Sequence, residues 1–451
     1  MEESLLSVGV DLGTSTTQII FSRLHLKNKA SGANVPRMEI VQKEILYKSD
    51  IHFTPLLSPT TIDTEKVLNI LKAEYQKAGF LPADTDTGAV IITGETARKE
   101  NASAVLNILS EFSGDFVVAT AGADLESILS AKGAGIDALS KEHRLFIANA
   151  DIGGGTTNIA VYKNGVLQNT ACYDIGGRLI RYDQNRTVTY IAPKLKEIIR
   201  QENLSLKEGV PLNMTDLSKL LDLIVSALEN AFGIKQSKYH DLLVTHKGLT
   251  APDKLTHISF SGGVAEGIYN HLENPFAFGD IGVFLAEKIK NSALFPRYTL
   301  QKGTETIRAT VVGAGSHAVS LSGSTVFFDP KVLPLKNLPV TILSSKTLPE
   351  RTEDTMTLFS VRDVEDLSFA GLSSLADHLQ KILHPALNPV VLNFEKDIGK
   401  TLGYMLKSRM PDKTILSMDS LKVSESDYVD IGKPAPGGSV LPVVIKTLLF
   451  Q

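Results

Sequence analysis

Near the N-terminus the apolar positions fall in two short β-branched runs, "SVGVD" (Ser7–Asp11) and "TTQIIF" (Thr16–Phe21), separated by small residues. Runs of this length around a Gly/Thr/Ser turn predict a β-hairpin. The pattern returns in "ANADIGGGTTNIAVYKNG" (Ala148–Gly165) and passes through an Asn-Gly turn into "VLQNTACYD", which predicts an antiparallel meander. Elsewhere the period changes. "DTEKVLNILKAEYQKAG" (Asp63–Gly79) spaces its apolar residues by three and four and ends on glycine, the signature of an amphipathic helix. "LTHISFSGGVAEGIYNHL" (Leu255–Leu272) predicts strand, Gly-Gly turn and helix. Further on, "FAGLSSLADHLQKILHPALNP" predicts a helix stopped by prolines, and "DYVDIGKPAPGGSVLPVVIKTLLF" two strands around a Pro/Gly turn.

The two hairpins match position by position. Asp11 meets Asp151, Gly13 meets Gly153, Thr16 and Thr17 meet Thr156 and Thr157, and Gln18 meets Asn158, each pair offset by 140 residues. A shared Asp-x-Gly-x-x-Thr-Thr-(Gln/Asn)-Ile pattern in the same strand–turn–strand setting indicates an internal duplication. A simple turn needs one or two glycines; three in a row at Gly153–Gly155 suit a backbone that must come close to a ligand. Two such turns facing a common cleft would present N–H and hydroxyl donors to a phosphate chain. The acidic Asp11 and Asp151 fit beside phosphate if hydrated Mg²⁺ lies between; they are the candidate catalytic and metal-binding residues. Against this stands the plainer reading of two hairpins whose aspartates cap turns.

A nucleoside would then need its own subsite. Gly262 and Gly263 allow close backbone approach, and the following helix N-terminus favours an anion. Glu266 is placed either to accept from a ribose hydroxyl or merely to complement the helix dipole. Gly176 and Gly177 in "DIGGRLIRYD" either line the same cleft or form an ordinary turn. Two tempting motifs fail. "VVGAGSHA" (Val311–Ala318) leaves only about ten residues before the next apolar run, too few for the crossover of a dinucleotide fold; it suits a helix packed closely on "AGADLESILSAKGAG" (Ala121–Gly135). "EKDIGKT" (Glu395–Thr401) has Phe394 where a phosphate-binding P-loop requires glycine. No histidine pair has zinc-hydrolase spacing and no G-x-S-x-G occurs.

Composition narrows the class. The chain has 451 residues, 43% hydrophobic and 21% charged, with net charge −4, ordinary values for two or three globular domains without nucleic-acid or membrane affinity. One cysteine, Cys172, excludes internal disulfides and Cys-ligated zinc or iron–sulfur centres within one chain and points to a reducing compartment. The acidic start broken early by glycine is no signal peptide, and no apolar run approaches the roughly 20 residues of a membrane span. A cytoplasmic protein is expected.

Taken in order, these pieces resemble the acetate and sugar kinase/heat-shock cognate/actin superfamily, with phosphate-one at Asp11–Thr17, connect-one at Ala121–Gly135, phosphate-two at Asp151–Asn158, adenosine at Ser261–Glu266 and connect-two at Arg308–Ser316. The resemblance implies an α/β fold of two actin-like ATPase lobes with duplicated, ribonuclease-H-like mixed sheets closing over ATP and Mg²⁺. The lobes are expected at 1–145 and 146–325, with 326–451 either completing the second lobe or forming a separate contact domain. Gly13, Thr14, Ser15, Thr16, Gly153, Gly154, Gly155 and Thr156 would cradle phosphates, and Asp11 and Asp151 would hold hydrated Mg²⁺. Gly262, Gly263 and Glu266 would face the nucleoside.

Finer likeness, in "TGETARKENA" (Thr93–Ala102), "DLESILSAKGAGI" (Asp124–Ile136), "ADIGGGTTNIAV" (Ala150–Val161), "FGDIG" (Phe278–Gly282) and "LPVVIKTLLF" (Leu441–Phe450), is to the ethanolamine ammonia-lyase reactivating factors, the EutA family. That resemblance implies a slow, chaperone-like ATPase that binds stalled, adenosylcobalamin-dependent ethanolamine ammonia-lyase and lets damaged cobalamin leave. It also implies association with the bacterial microcompartment of ethanolamine utilisation. Rival readings within the superfamily are a small-molecule kinase, with Asp174, Asp183 or Asp280 as candidate base, and an actin-like ATP-dependent scaffold.

Overall fold

The computed structural model of the chain describes residues 3–13, 16–28, 38–58, 61–93, 101, 105, 117–120, 123–245, 247–249, 254–317, 319–322, 325–344, 356–425, 427–434 and 440–447. Its first lobe is built on strands β1 (Glu3–Leu12), β2 (Thr16–Asn28), β3 (Met38–Lys48), β4 (Thr87–Ile92) and β5 (Val117–Thr120), side by side in the order β3-β2-β1-β4-β5. The first three are antiparallel; β4 and β5 join parallel to β1. The second lobe repeats this plan with β6 (Phe146–Ile152), β7 (Thr157–Lys163), β8 (Val166–Tyr173), β9 (His257–Ser261) and β10 (Thr299–Leu300), in the order β8-β7-β6-β9-β10 and with the same directions.

The duplication extends to register. Asp11 pairs with Gln18 across the first hairpin and Asp151 with Asn158 across the second. Gly13 N–H donates to the Thr16 carbonyl at 2.8 Å, and Gly153 N–H to that of Thr156 at 2.9 Å. Two mixed sheets of one ribonuclease-H-like topology, covered by helices, are therefore the architecture of the first two-thirds of the chain. Strands β6 and β7 are buried on both faces over nearly their whole length, which is why they read as continuous apolar runs rather than alternating ones.

Helix α1 (Thr64–Ala78) lies where its spacing predicts it, with the Asp63 carboxylate accepting from Lys66 N–H at its start and Gly79 at φ 75° at its end. The small-residue helices α2 (Ala123–Gly133) and, further along, Ala309–His317 pack on each other as expected. A β-carbon on Gly133 would stand 2.6 Å from Gly313 N, and one on Gly9 the same distance from Gly315 N. No larger residue fits while these backbones touch.

The C-terminal third forms a sheet of its own. Strands β11 (Val319–Leu321), β12 (Leu335–Ser344), β13 (Leu358–Arg362), β14 (Val390–Phe394), β15 (Ile415–Asp419), β16 (Asp427–Ile431) and β17 (Pro442–Thr447) run β11-β17-β16-β12-β13-β14-β15. Strands β12–β15 are parallel, and Phe369–Leu383 and Gly399–Arg409 are the helices packed on them. This sheet packs on the first lobe, where Val440 and Val444 are buried with Leu5, Leu24 and Leu26. Among the described residues no helix is long and apolar enough to cross a membrane.

Candidate functional site

Both repeated turns open into one cleft of about 410 Å³ between the lobes. Gly13 and Thr16 line it from the first hairpin, and Gly153, Gly154, Gly155 and Thr156 from the second; Thr14 and Ser15 lie outside the described residues. The second turn is buttressed from behind, since Gly177 N–H donates to the Gly153 carbonyl at 3.0 Å and Arg178 N–H to that of Gly154 at 2.7 Å. Gly177 lines the cleft. Gly176 is not among the lining residues; it backs the glycine loop, where a β-carbon would sit 2.6 Å from the Gly154 carbonyl carbon.

Asp11 and Asp151 end the first strands of their lobes and reach the cleft at only 8% and 5% exposure. Each is held by a hydroxyl from the neighbouring parallel strand. Thr93, just after β4, donates to Asp11 Oδ1 at 2.8 Å; Ser261, at the end of β9, donates to Asp151 Oδ1 at 2.6 Å. Thr310 adds a second donor to Asp151 at 3.3 Å. Burial, aided by the charge of Asp151 and opposed by the Thr93 hydrogen bond, pushes the Asp11 carboxyl up to about 7. Burial likewise lifts Asp151 to about 6, with Ser261 and Thr310 holding it down. Among the described residues no positive group offsets these two raised carboxyls, and a cation between them would do so. Their hard oxygens suit Mg²⁺. Among the described residues no group of three or more His, Cys, Asp or Glu gathers as metal ligands, so a cation here would keep waters or phosphate oxygens in its shell, as Mg²⁺ does.

The cleft is also lined by the Gly262–Gly263 turn and by residues of two helices, α3 (Ala265–Tyr269) and α4 (Gly282–Lys290). Gly262, at φ 83°, presses against the Ile152 backbone, whereas a β-carbon on Gly263 would meet nothing within 4 Å. Glu266 lines the cleft in the first turn of α3, and its carboxylate accepts from Asn270 Nδ2 at 2.6 Å.

Of the candidate bases, Asp174 is ion-paired to Lys194 at 2.6 Å and Asp183 accepts from the N–H groups of Asn185 and Thr187; neither lines the cleft. Asp280 does. Burial lifts its carboxyl to about 6 although it accepts the Gly282 N–H and faces Arg178. Sequence reasoning missed Thr93, Ser261 and Thr310 as positioning residues, and Gln18, Phe53, Glu126 and Arg178 as lining residues. The repeat held a usable signal for one pair: if Asp11 and Asp151 correspond, the residues closing β4 and β9 correspond too. Nothing local marks Phe53 or Arg178, whose proximity arises from the approach of the lobes.

The whole chain, residues 3–451, matches the sequence model of the family described as ethanolamine utilisation protein EutA. It is 36% identical over 466 aligned residues to an ethanolamine ammonia-lyase reactivase EutA of Salmonella typhimurium, covering 99% of this chain and 98% of that protein. The Escherichia coli protein of the same name is 35% identical with the same coverage. Among solved structures, an Aquifex aeolicus member of the Ppx/GppA family is similar at 11% identity and a TM-score of 0.41, over 68% of this chain and 97% of that one. With a full-length family match and relatives above one-third identity, the chain belongs to the EutA family.

Proposed function

We propose that this chain is an ATP- and Mg²⁺-dependent reactivating factor for ethanolamine ammonia-lyase, acting on enzyme stalled with damaged cobalamin so that intact adenosylcobalamin can replace it. The observation that carries this reading is end-to-end similarity to two proteins named as reactivases of that lyase. The cleft supports its nucleotide-dependent part. Asp11 and Asp151 would hold the hydrated cation, oriented by Thr93, Ser261 and Thr310. The N–H groups and hydroxyls of the turns at Gly13–Thr16 and Gly153–Thr156 would donate to phosphate oxygens, and Gly262, Gly263 and Glu266 would face the nucleoside. Bound nucleotide supplies a difference in free energy between open and closed lobes, which a partner gripping either lobe experiences as a change of shape.

The test is reactivation. Ethanolamine ammonia-lyase inactivated with a cobalamin lacking its adenosyl group is mixed with this protein, ATP, Mg²⁺ and fresh adenosylcobalamin. Ammonia release is expected to recover only when all four are present. Tight MgATP binding without recovery would sink the reactivase role and leave a nucleotide-binding protein of another purpose, for which labelled γ-phosphate transfer to small acceptors is the next measurement.

A further inference from the structure

The cleft is lined by five carboxylates, Asp11, Glu126, Asp151, Glu266 and Asp280, and by a single Lys or Arg among the described residues, Arg178. That cation joins the two phosphate turns. Its backbone N–H is bonded to the Gly154 carbonyl, so its base moves with the second turn. Its guanidinium carbon lies 5.6 Å from the centroid of the Phe53 ring, which belongs to the other lobe. Phe53 in turn sits on the two-residue strand His52–Phe53, paired with Thr16 and Thr17 of the first turn, and the next residue, Thr54, donates to the Gly13 carbonyl at 2.8 Å.

Among the described residues the guanidinium donates no side-chain hydrogen bond. Asp280 Oδ2 stands 3.9 Å from Arg178 Nε, longer than the roughly 2.7–2.9 Å of a charge-assisted bond. Phe53 is 71% exposed, so its ring is open to exchange one neighbour for another. A planar fork of five donors, loosely held beside a glycine loop in an otherwise acidic cleft, matches the oxygens of a phosphate.

We propose that Arg178 is the phosphate-sensing residue of this cleft: its guanidinium exchanges Asp280 and the Phe53 ring for the outer phosphate of a nucleoside triphosphate, tying occupancy of the second turn to the lip of the first lobe. The proposal rests on the nucleotide reading above and deepens it. It makes Arg178 responsible for distinguishing nucleotides by their phosphates, and makes the segment 52–54 the reporter of that event in the other lobe.

The test compares calorimetric affinities of the full-length protein for MgATP and adenosine with those of Arg178→Ala and Arg178→Lys. Hydrogen exchange of residues 52–54 is followed with and without saturating MgATP. Losing a charged hydrogen-bond donor should weaken MgATP binding by about tenfold or more in Arg178→Ala, leave adenosine affinity near the wild-type value, and place Arg178→Lys between. MgATP should change exchange at 52–54 in the wild type and not in Arg178→Ala. Unchanged MgATP affinity in Arg178→Ala, or equal loss for MgATP and adenosine, would overturn the proposal while sparing the nucleotide reading. Absence of MgATP binding by the wild type overturns both.

Discussion

Gly176→Ala probes the second phosphate turn from behind, at a residue that does not itself line the cleft. The residue's φ lies outside the left-handed region, so alanine suits the backbone and only space opposes it. Its β-carbon would lie 2.6 Å from the Gly154 carbonyl carbon and 2.8 Å from that of Gly155, where ordinary contact begins at 3.4 Å. The glycine loop must therefore retreat by about 0.8 Å, an overpacking that costs roughly 1–3 kcal/mol. The same shift stretches a hydrogen bond of about 2.9 Å beyond effective reach. Each charge-assisted bond lost to a phosphate oxygen weakens binding by roughly 1.5–3 kcal/mol, so MgATP affinity should fall about 10- to 100-fold, with the melting temperature a few degrees lower. Calorimetric titration well below the melting point separates the two effects. A folded Gly176→Ala protein with lowered melting temperature and wild-type MgATP affinity would refute the placement of phosphate on Gly153–Gly155.

Gly263→Ala tests the nucleoside subsite: with nothing within 4 Å of the new methyl, stability should hold while the group intrudes on the nucleoside, and undiminished adenosine affinity would remove Gly263 from that subsite. Asp151→Asn keeps the shape but removes the charge, so Mg²⁺ should no longer strengthen ATP binding; a retained Mg²⁺ effect would assign the cation elsewhere. Asp419, fully buried at the end of β15, has its carboxyl pushed by burial, then by the charge of Asp397, from 3.8 to about 7, despite the Gly399 N–H. A folded state that holds its proton more tightly than the unfolded chain loses stability as pH climbs from about 4 through 7, here on the order of 4 kcal/mol. Asp419→Asn should flatten that loss in thermal denaturation at pH 5 and pH 8; an unaltered difference between the two pH values would show the residue plays no part in it.

How far the sequence reaches depends on whether a feature is local. The hairpins, α1 with its terminal glycine and the small-residue helices were legible because each is set by a few neighbouring residues: the apolar spacing and Gly79 suffice for α1, whose Asp63 cap the structure adds. The 140-residue repeat made the two-lobe plan legible, and with it Asp11 and Asp151. The parallel partners β4 and β9 could not be paired from local pattern, since their neighbours are some 80 and 110 positions away, and so Thr93 and Ser261 stayed hidden. The C-terminal sheet was harder still. Strands β16 and β17 pair antiparallel, as their Pro/Gly-separated runs suggest, but β17 also lies beside β11, where Val319 pairs with Val444, and no local pattern joins residues so far apart.

The way that third sheet is attached bears on the proposed role. In that role a nucleotide would act on a cleft whose walls are the two duplicated lobes, and its direct effect would be a change in their separation. Val440 and Val444 are buried against Leu5, Leu24 and Leu26, so the C-terminal sheet is carried by the first lobe. Closure about the cleft would then displace the sheet relative to the second lobe. The Ala309–His317 helix, wedged between α2 and β1 with no room for a side chain at Gly133 or Gly9, is a close-packed joint along that route. A close-packed joint transmits displacement instead of absorbing it. In the proposed reactivase, a partner enzyme held on the second lobe and on the C-terminal sheet would thus experience the sub-ångström adjustments of two glycine turns as relative motion of two large surfaces.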